Sequence, residues 1–330
     1  MPNPVKLDRL VTVFGGSGFV GRHVVRALAK AGWRVRVATR RPDLAFFLQP
    51  AGKVGQINAV QANIRYPESV ASAVKDAEAV VNLVGVLSST GAQTFGSLHH
   101  EGAATVAKAA AAAGASFVVQ MSALGVGLEH DSLYARTKAE GEHAVREAFL
   151  KATILRPSVI FGPEDEFFNR FASMAKVMPF LPAIGGGKTK FQPVFAGDVG
   201  EAVVRSLDEA AQGKTYELGG PRIVSLREVM TYICKVTGRR RLLLPLPFPL
   251  ATLGAFGSEI AAKLALGLLP SEFLLTRDQV KLLRHDNIVS NQAILEDRTL
   301  ESLGITPCSF ETIVPTYLYR FRKTGQFAGP

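Results

Sequence analysis

The chain has 330 residues, of which 47% are hydrophobic and 20% charged, and a formal net charge of +10. That length exceeds one minimal domain, and the composition supplies a full core and excludes a disordered chain. Two cysteines, Cys234 and Cys308, exclude a disulfide scaffold and point to a reducing compartment, while the basic excess favours an anionic ligand or surface.

The first nine residues run straight into an apolar strand pattern, without the charged and apolar regions of a secretory signal. Leu10 to Phe14 is a short apolar run closed by glycines, which reads as a buried parallel strand. Val20 to Ala31 follows with helical spacing, and Gly32 is a helix stop. Further strands are expected over 34–39, 57–61, 79–84, 117–121 and 153–156, and helices over 102–113 and 134–150. Strands alternating with helices in this way predict an α/β fold, a Rossmann-type doubly wound parallel sheet. After Pro157 proline becomes frequent and the rhythm changes, with strand-like pieces at 191–195 and 215–218. The expected organisation is a nucleotide-binding domain over 1–160 and a smaller, interleaved C-terminal α/β part over 161–330. Residues 191–220 are expected to return to the first domain.

The most apolar stretch, 242–269, contains Pro245, Pro247 and Pro249 and then Glu259 and Lys263. Those residues break any membrane-spanning helix, so none is expected. Two readings remain open: a buried loop with a core helix, or a surface that meets a membrane or an apolar partner. The neighbouring Arg239, Arg240 and Arg241 favour the second, because clustered cations are drawn to acidic head groups. Residues 1–60 hold ten Lys and Arg against two Asp. Few aromatic residues are interleaved with them, so nucleic acid is not the expected partner.

The basic charge has a better use at the first turn. Gly15, Gly16, Ser17, Gly18, Phe19, Val20 and Gly21 lie between the first strand and the first helix. In that setting the glycine spacing marks a dinucleotide site: glycine lets the backbone approach a pyrophosphate, and the helix start offers free N–H groups. Where an NAD binder carries Asp or Glu at the end of the second strand, this chain has Thr39-Arg40-Arg41. A guanidinium pairs with a 2′-phosphate that a carboxylate would repel, so NADP(H) is expected over NAD(H). Arg40 is the first choice for that contact and Arg41 the second, with Arg22 a further candidate.

Tyr134 and Lys138 have the i, i+4 spacing that puts both on one helix face, where an ammonium lowers a phenol's pKa. Ser122 ends the preceding strand, at the sheet edge where ligands bind, and can hydrogen-bond a substrate carbonyl. Ser122, Tyr134 and Lys138 are the catalytic candidates. His99 and His100 are adjacent and would point apart on a helix, and no Cys/His/Asp cluster has metal spacing, so no metal is expected. Gly185-Gly186-Gly187-Lys188 lacks a full phosphate-loop pattern and reads as a turn.

These motifs together resemble the extended, epimerase-like branch of the short-chain dehydrogenase/reductase superfamily. Gly15 to Gly21, Asn82-Leu83-Val84-Gly85, Ser122, Tyr134/Lys138, Leu155-Arg156-Pro157 and Phe161-Gly162-Pro163 fall in that family's order. The resemblance implies cofactor contacts from Asn63, Ile64, Leu83, Val84, Gly85 and Pro157, and from Lys138 to the nicotinamide ribose. It also implies a C-terminal part that closes over a substrate cleft. Asn63 stands where the family commonly has Asp near the adenine, and an amide still hydrogen-bonds the ring. The interval from Ser122 to Tyr134 is shorter than in typical epimerases, which argues against a sugar-nucleotide substrate.

A narrower resemblance is carried by residues 161–174, Gln192-Pro193-Val194, Leu244-Pro245-Leu246-Pro247 and Thr276-Arg277-Asp278-Gln279-Val280. These strings are similar to the nucleotide-binding accessory subunit family of respiratory complex I. That resemblance implies a tightly held NADPH with a structural or regulatory role, complex I subunits as partners, and a membrane surface near the apolar stretch. With no presequence visible, it further implies a bacterial relative, cytoplasmic and peripheral to the inner face of the cytoplasmic membrane (the matrix side in a mitochondrion). Two other functions stay open: an NADPH-dependent reductase of an apolar carbonyl or quinone-related substrate, and a sugar-nucleotide epimerase or dehydratase.

Overall fold

The computed structural model describes residues 9–89, 91–264, 274–323 and 325. Contacts divide the chain into two compact units. The first comprises Met1–Pro157, Ala196–Leu218 and Ser290–Thr306, and the second Ser158–Phe195, Gly219–Val289 and Pro307–Pro330.

The first unit is built on a seven-stranded sheet, in which every pairing is parallel. Its strands are β1 (Leu10–Phe14), β2 (Arg34–Thr39), β3 (Ile57–Gln61), β4 (Ala79–Asn82), β5 (Phe117–Met121) and β6 (Thr153–Pro157). A last strand, Thr215–Leu218, joins at the β6 edge. β1, β4 and β5 are buried along their whole length. They are accordingly near-continuous apolar runs, each with one buried polar residue (Thr12, Asn82 and Gln120), rather than alternating ones. The helices of this unit are α1 (Phe19–Lys30), α2 (Pro67–Val74), α3 (Glu101–Ala112) and α4 (Leu133–Ala148), and a later helix, Ala196–Arg205, that packs on α1. Leu10 and Phe14 of β1 join Val70 and Val74 of α2, Val106 of α3 and Val145 of α4 in one core. Val13 points the other way, toward Val25 of α1. Period-two alternation along β1 thus fills both faces of the sheet.

From the β6 edge the strand order runs through β5 and β4 to β1, β2 and β3. The chain builds outward from β1 to β3, then crosses back to β4 on the other side. The direction of winding therefore reverses between β1 and β4, where open α/β sheets leave a crevice. β4 stops at Asn82, two residues short of the expected end at Val84. The Asn82 Oδ1 accepts the Val84 N–H at 3.1 Å, so a side chain replaces the ladder there.

In the second unit the single strand expected at 191–195 is two short ones, Lys190–Phe191 and Val194–Phe195. Pro193 lies between them and has no N–H to give to a ladder. The first pairs antiparallel with Val224–Ser225 and the second parallel with Ile160–Phe161. Phe161, Phe168, Ile233, Phe310 and Leu318 share one core. Beside it the buried Asp165 accepts the Tyr317 hydroxyl at 2.6 Å and the Gly162 N–H at 3.1 Å. Gly185–Gly187 forms a tight turn, with positive φ at all three residues.

Over residues 242–264 the apolar stretch is a strand and a helix buried on one side. Leu242–Leu246 pairs in parallel with Phe180–Ile184, and Phe248–Leu264 is a helix. Pro249 falls in the helix's first turn, where no intrahelical N–H is required, so the prolines set its start rather than prevent it. Its small residues Ala251 and Ala255 face inward, against Ile184 and Val280. Leu250 (57%), Leu253 (67%), Phe256 (46%) and Ile260 (43%) are exposed. Residues 265–269 of the stretch lie outside the described residues. Among the described residues, no helix is long and apolar enough to cross a membrane.

Candidate cofactor and active site

The glycine turn leaves β1 at the winding reversal. Gly15 has φ +78°, a conformation costly to any side chain, and its Cα faces the Leu83–Val84 peptide at the end of β4. A Cβ at Gly21 would collide with the Gly15 carbonyl oxygen and come within 2.6 Å of Gly16 backbone. Glycine here lets α1 sit directly on the turn. Gly18 is the N-cap of α1 and has no side-chain cap, and the first turn contains no acidic residue. The N–H groups of that turn and the positive end of the helix dipole are thus offered outward, unopposed by a carboxylate. The fit to a pyrophosphate is complete at this end: a tight glycine turn, a close helix and uncapped donors. Ser17 sits at its rim, with Oγ 3.3 Å from Thr39 Oγ1.

The arginines at the end of β2 are not equivalent. Arg40 and Arg41 are both exposed. Arg41 is paired with Asp43 at 2.9 Å, and that carboxylate raises its already high pKa. The Arg22 guanidinium lies over the Phe47 ring at 5.0 Å. On the far side of β2, Asn63 is part of a local turn. Its N–H donates to Ser69 Oγ at 3.0 Å, and its Oδ1 accepts the Arg65 N–H at 3.2 Å. Ile64 is buried, against Gly102 of α3. Pro157 ends β6, and its carbonyl accepts the Leu124 N–H at 2.9 Å.

Ser122 follows directly on β5 and is buried. Among the described residues its Oγ has no hydrogen-bond partner. An orphaned buried hydroxyl is costly and is a feature of sites that hold a polar ligand. Tyr134 and Lys138 lie in the first turns of α4, which Ser132 caps by accepting the Ala135 N–H at 3.3 Å. Lys138 is buried, and its Nζ donates to the Met121 carbonyl at 3.0 Å. A Cβ at Gly85 would come within 3.1 Å of that Nζ, so the segment after β4 passes directly over the ammonium. β4 and β5 are neighbours in the sheet, which is what brings Gly85, Met121 and Lys138 together.

Burial lowers the Lys138 pKa to about 8, against the opposing pull of Glu142. Burial likewise raises the Tyr134 pKa to about 12. Burial thus acts against the lowering expected from the ammonium, because it desolvates the phenolate. Tyr134 holds its proton firmly in this environment.

Sequence reasoning missed His99. It belongs to a single π turn, Gly96–His100, that runs into α3. His99 is buried while His100 is exposed. The His99 ring meets the Tyr134 ring edge-on at 5.3 Å and stacks on Phe95 at 5.4 Å. Two adjacent histidines carry no signal that one would enter the site; a π turn shifts the register that decides it.

A family model described as the NAD dependent epimerase/dehydratase family matches residues 11–219. The chain is 34% identical over 320 residues to the Arabidopsis thaliana protein named NADH dehydrogenase [ubiquinone] 1 alpha subcomplex subunit 9, mitochondrial, a span covering 96% of this chain and 79% of that one. The Mus musculus protein of the same name is 32% identical over 305 residues, 92% of this chain and 78% of that one. Among solved structures, the dTDP-glucose 4,6-dehydratase DesIV from Streptomyces venezuelae with NAD and TYD bound superposes with a TM-score of 0.69. It is 20% identical and covers 94% of this chain and 96% of its own, a likeness of fold. The fold, the NAD(P) cradle and the extent of these matches agree: the chain belongs to the NAD dependent epimerase/dehydratase family.

Proposed function

We propose that this chain is an accessory subunit of respiratory complex I that holds NADP(H) as a structural or regulatory cofactor. The observation that carries the reading is a similarity running over 96% of the chain to the plant subunit-9 protein, together with an intact nucleotide cradle in the same unit. A cofactor bound here supplies a nicotinamide for hydride chemistry. Lys138 is engaged by the Met121 carbonyl, which supports a fixed place for it beside a held cofactor. Gly15–Gly21 and the start of α1 bind pyrophosphate, Lys138 and Tyr134 the nicotinamide ribose, and Leu83, Val84 and Gly85 line the floor between. Asn63 and Ile64 would serve the adenine, and Pro157 the nicotinamide. Arg40, exposed where an NAD binder has a carboxylate, supports preference for the 2′-phosphate. The exposed outer face of the Phe248–Leu264 helix supports peripheral contact with the membrane beside the complex, on the cytoplasmic face or its mitochondrial equivalent.

The test is native purification. The protein, tagged at its own locus and extracted in mild detergent, is expected to co-migrate with complex I and to release NADPH on denaturation. Migration as a free monomer or homo-oligomer would overturn the reading.

One observation favours a second reading, an NADPH-dependent reductase of an apolar carbonyl or quinone-related substrate. Among the described residues Ser122 Oγ is buried without a partner, as a hydroxyl waiting for a substrate oxygen would be. Tyr134→Phe separates the two. A reductase loses substrate-dependent NADPH oxidation, whereas a subunit that only holds cofactor keeps its place in the complex.

A further inference from the structure

His99 lies outside the Ser122, Tyr134 and Lys138 trio, yet it touches the elements that build it. Its Nε2 accepts the Val86 N–H at 3.1 Å, on the segment that follows β4. Its Nδ1 lies 3.1 Å from Thr137 Oγ1 on α4. That hydroxyl donates to the Leu133 carbonyl at 2.9 Å, so toward the imidazole it acts as acceptor. The tautomer is thereby set, with the proton on Nδ1 and the lone pair on Nε2. His99's own carbonyl is closed off by α4 at Gly141, where any Cβ would collide with it. The imidazolium form is disfavoured by burial and by the Lys138 ammonium, which together lower the pKa to about 3.

We propose that His99 is a positioning residue: its neutral ring ties the Gly85–Val86 segment to the Tyr134/Lys138 face of α4 and keeps water from that face. The proposal rests on the reading above that this segment and Lys138 hold NADP(H). Among the described residues, Lys138 meets Glu142 on its own helix, the Met121 carbonyl on β5, and His99, with Tyr134 one helical turn before it. Glu142 is itself held by Arg156 at 2.6 Å. Removing His99 changes the dryness of Lys138 while leaving the other charges in place.

The experiment compares wild type, His99→Ala, His99→Gln and Thr137→Val in NADPH titrations across pH, with the Lys138 proton followed in parallel by lysine NMR. A glutamine amide offers both an acceptor and a donor, as the neutral imidazole does. Wild-type binding is expected to weaken with a midpoint near pH 8, as Lys138 loses its proton. In His99→Ala the affinity at neutral pH is expected to fall about tenfold. Its midpoint is expected to move up toward the ordinary lysine value. His99→Gln restores both, and Thr137→Val, which deletes the partner of Nδ1 along with that hydroxyl's bonds to the Leu133 and Tyr134 carbonyls, moves the midpoint in the same direction. An unchanged midpoint in both His99→Ala and Thr137→Val, even with a loss of thermal stability, would overturn the proposal. Should His99→Ala fail to fold, Thr137→Val and His99→Gln decide the matter. If wild type binds no NADPH, the cofactor reading has failed, and the Lys138 midpoint by NMR still decides the role of His99.

Discussion

The ammonium of Lys138 donates to the main-chain carbonyl of Met121 at 3.0 Å, which fixes the α4 face to the end of β5. The lysine does so from a buried position, where its pKa is lowered to about 8 from 10.5. A folded-state pKa below the unfolded value means that the unfolded chain binds more protons between those two pH values. Stability therefore rises with pH across that window. The shift corresponds to about 3 kcal/mol. Urea unfolding of wild type and Lys138→Met, with the difference plotted against pH, is expected to show wild type gaining that amount between pH 8 and 10.5. A flat difference would show that the ammonium is not desolvated.

Ser122→Ala is expected to stabilise the isolated protein. Among the described residues the buried hydroxyl has no hydrogen-bond partner, so its removal relieves a desolvation cost of about 1 kcal/mol. Denaturant midpoints with unchanged slope would register the gain. A loss of stability of similar size would mean that the hydroxyl is satisfied in solution.

Two glycines offer a paired test of where backbone approach matters. Gly21→Ala puts a methyl group into the Gly15 carbonyl and is expected to cost about 3 kcal/mol and to abolish nucleotide binding. Gly254, in the middle of the Phe248–Leu264 helix, has nothing within 4 Å of its added Cβ. Gly254→Ala is expected to gain about 1 kcal/mol from helix propensity, with nucleotide binding unaltered. Thermal melts and NADPH titration read both.

The two adjacent arginines are expected to separate in cofactor discrimination. Arg41 is committed to Asp43 at 2.9 Å, whereas among the described residues no carboxylate pairs with Arg40. Arg40→Ala is expected to weaken NADPH by about tenfold more than NADH, through loss of a charge-assisted contact of about 1.5 kcal/mol. Arg41→Ala is expected to change the ratio by less than threefold. Equal losses of both cofactors in Arg40→Ala would remove Arg40 from the 2′-phosphate.

The family and the sheet were legible because their determinants are local. A buried strand needs a short apolar run, and a pyrophosphate turn needs glycines at fixed spacing before a helix; both can be read at β1 and Gly15–Gly21 without knowing the rest of the chain. β2, β3 and β5 have the bounds the pattern predicts, since an uninterrupted apolar or alternating run leaves little choice of end. β4 ended early for a reason no periodicity carries, the Asn82 side chain capping Val84. The 191–195 strand broke at a proline whose consequence depends on which neighbours it meets.

The sequence by itself determined the fold, the glycine cradle and the Tyr134/Lys138 spacing, because each depends on residues close together along the chain. Only the tertiary structure decided the chemistry of the site. The order of strands in the sheet set Met121 and Gly85 against Lys138, and a π turn brought His99 to Tyr134. Burial, the sum of contacts from many distant segments, then moved the tyrosine and lysine pKa values opposite ways. Desolvation depends on everything packed around a group, and spacing along a chain records none of it.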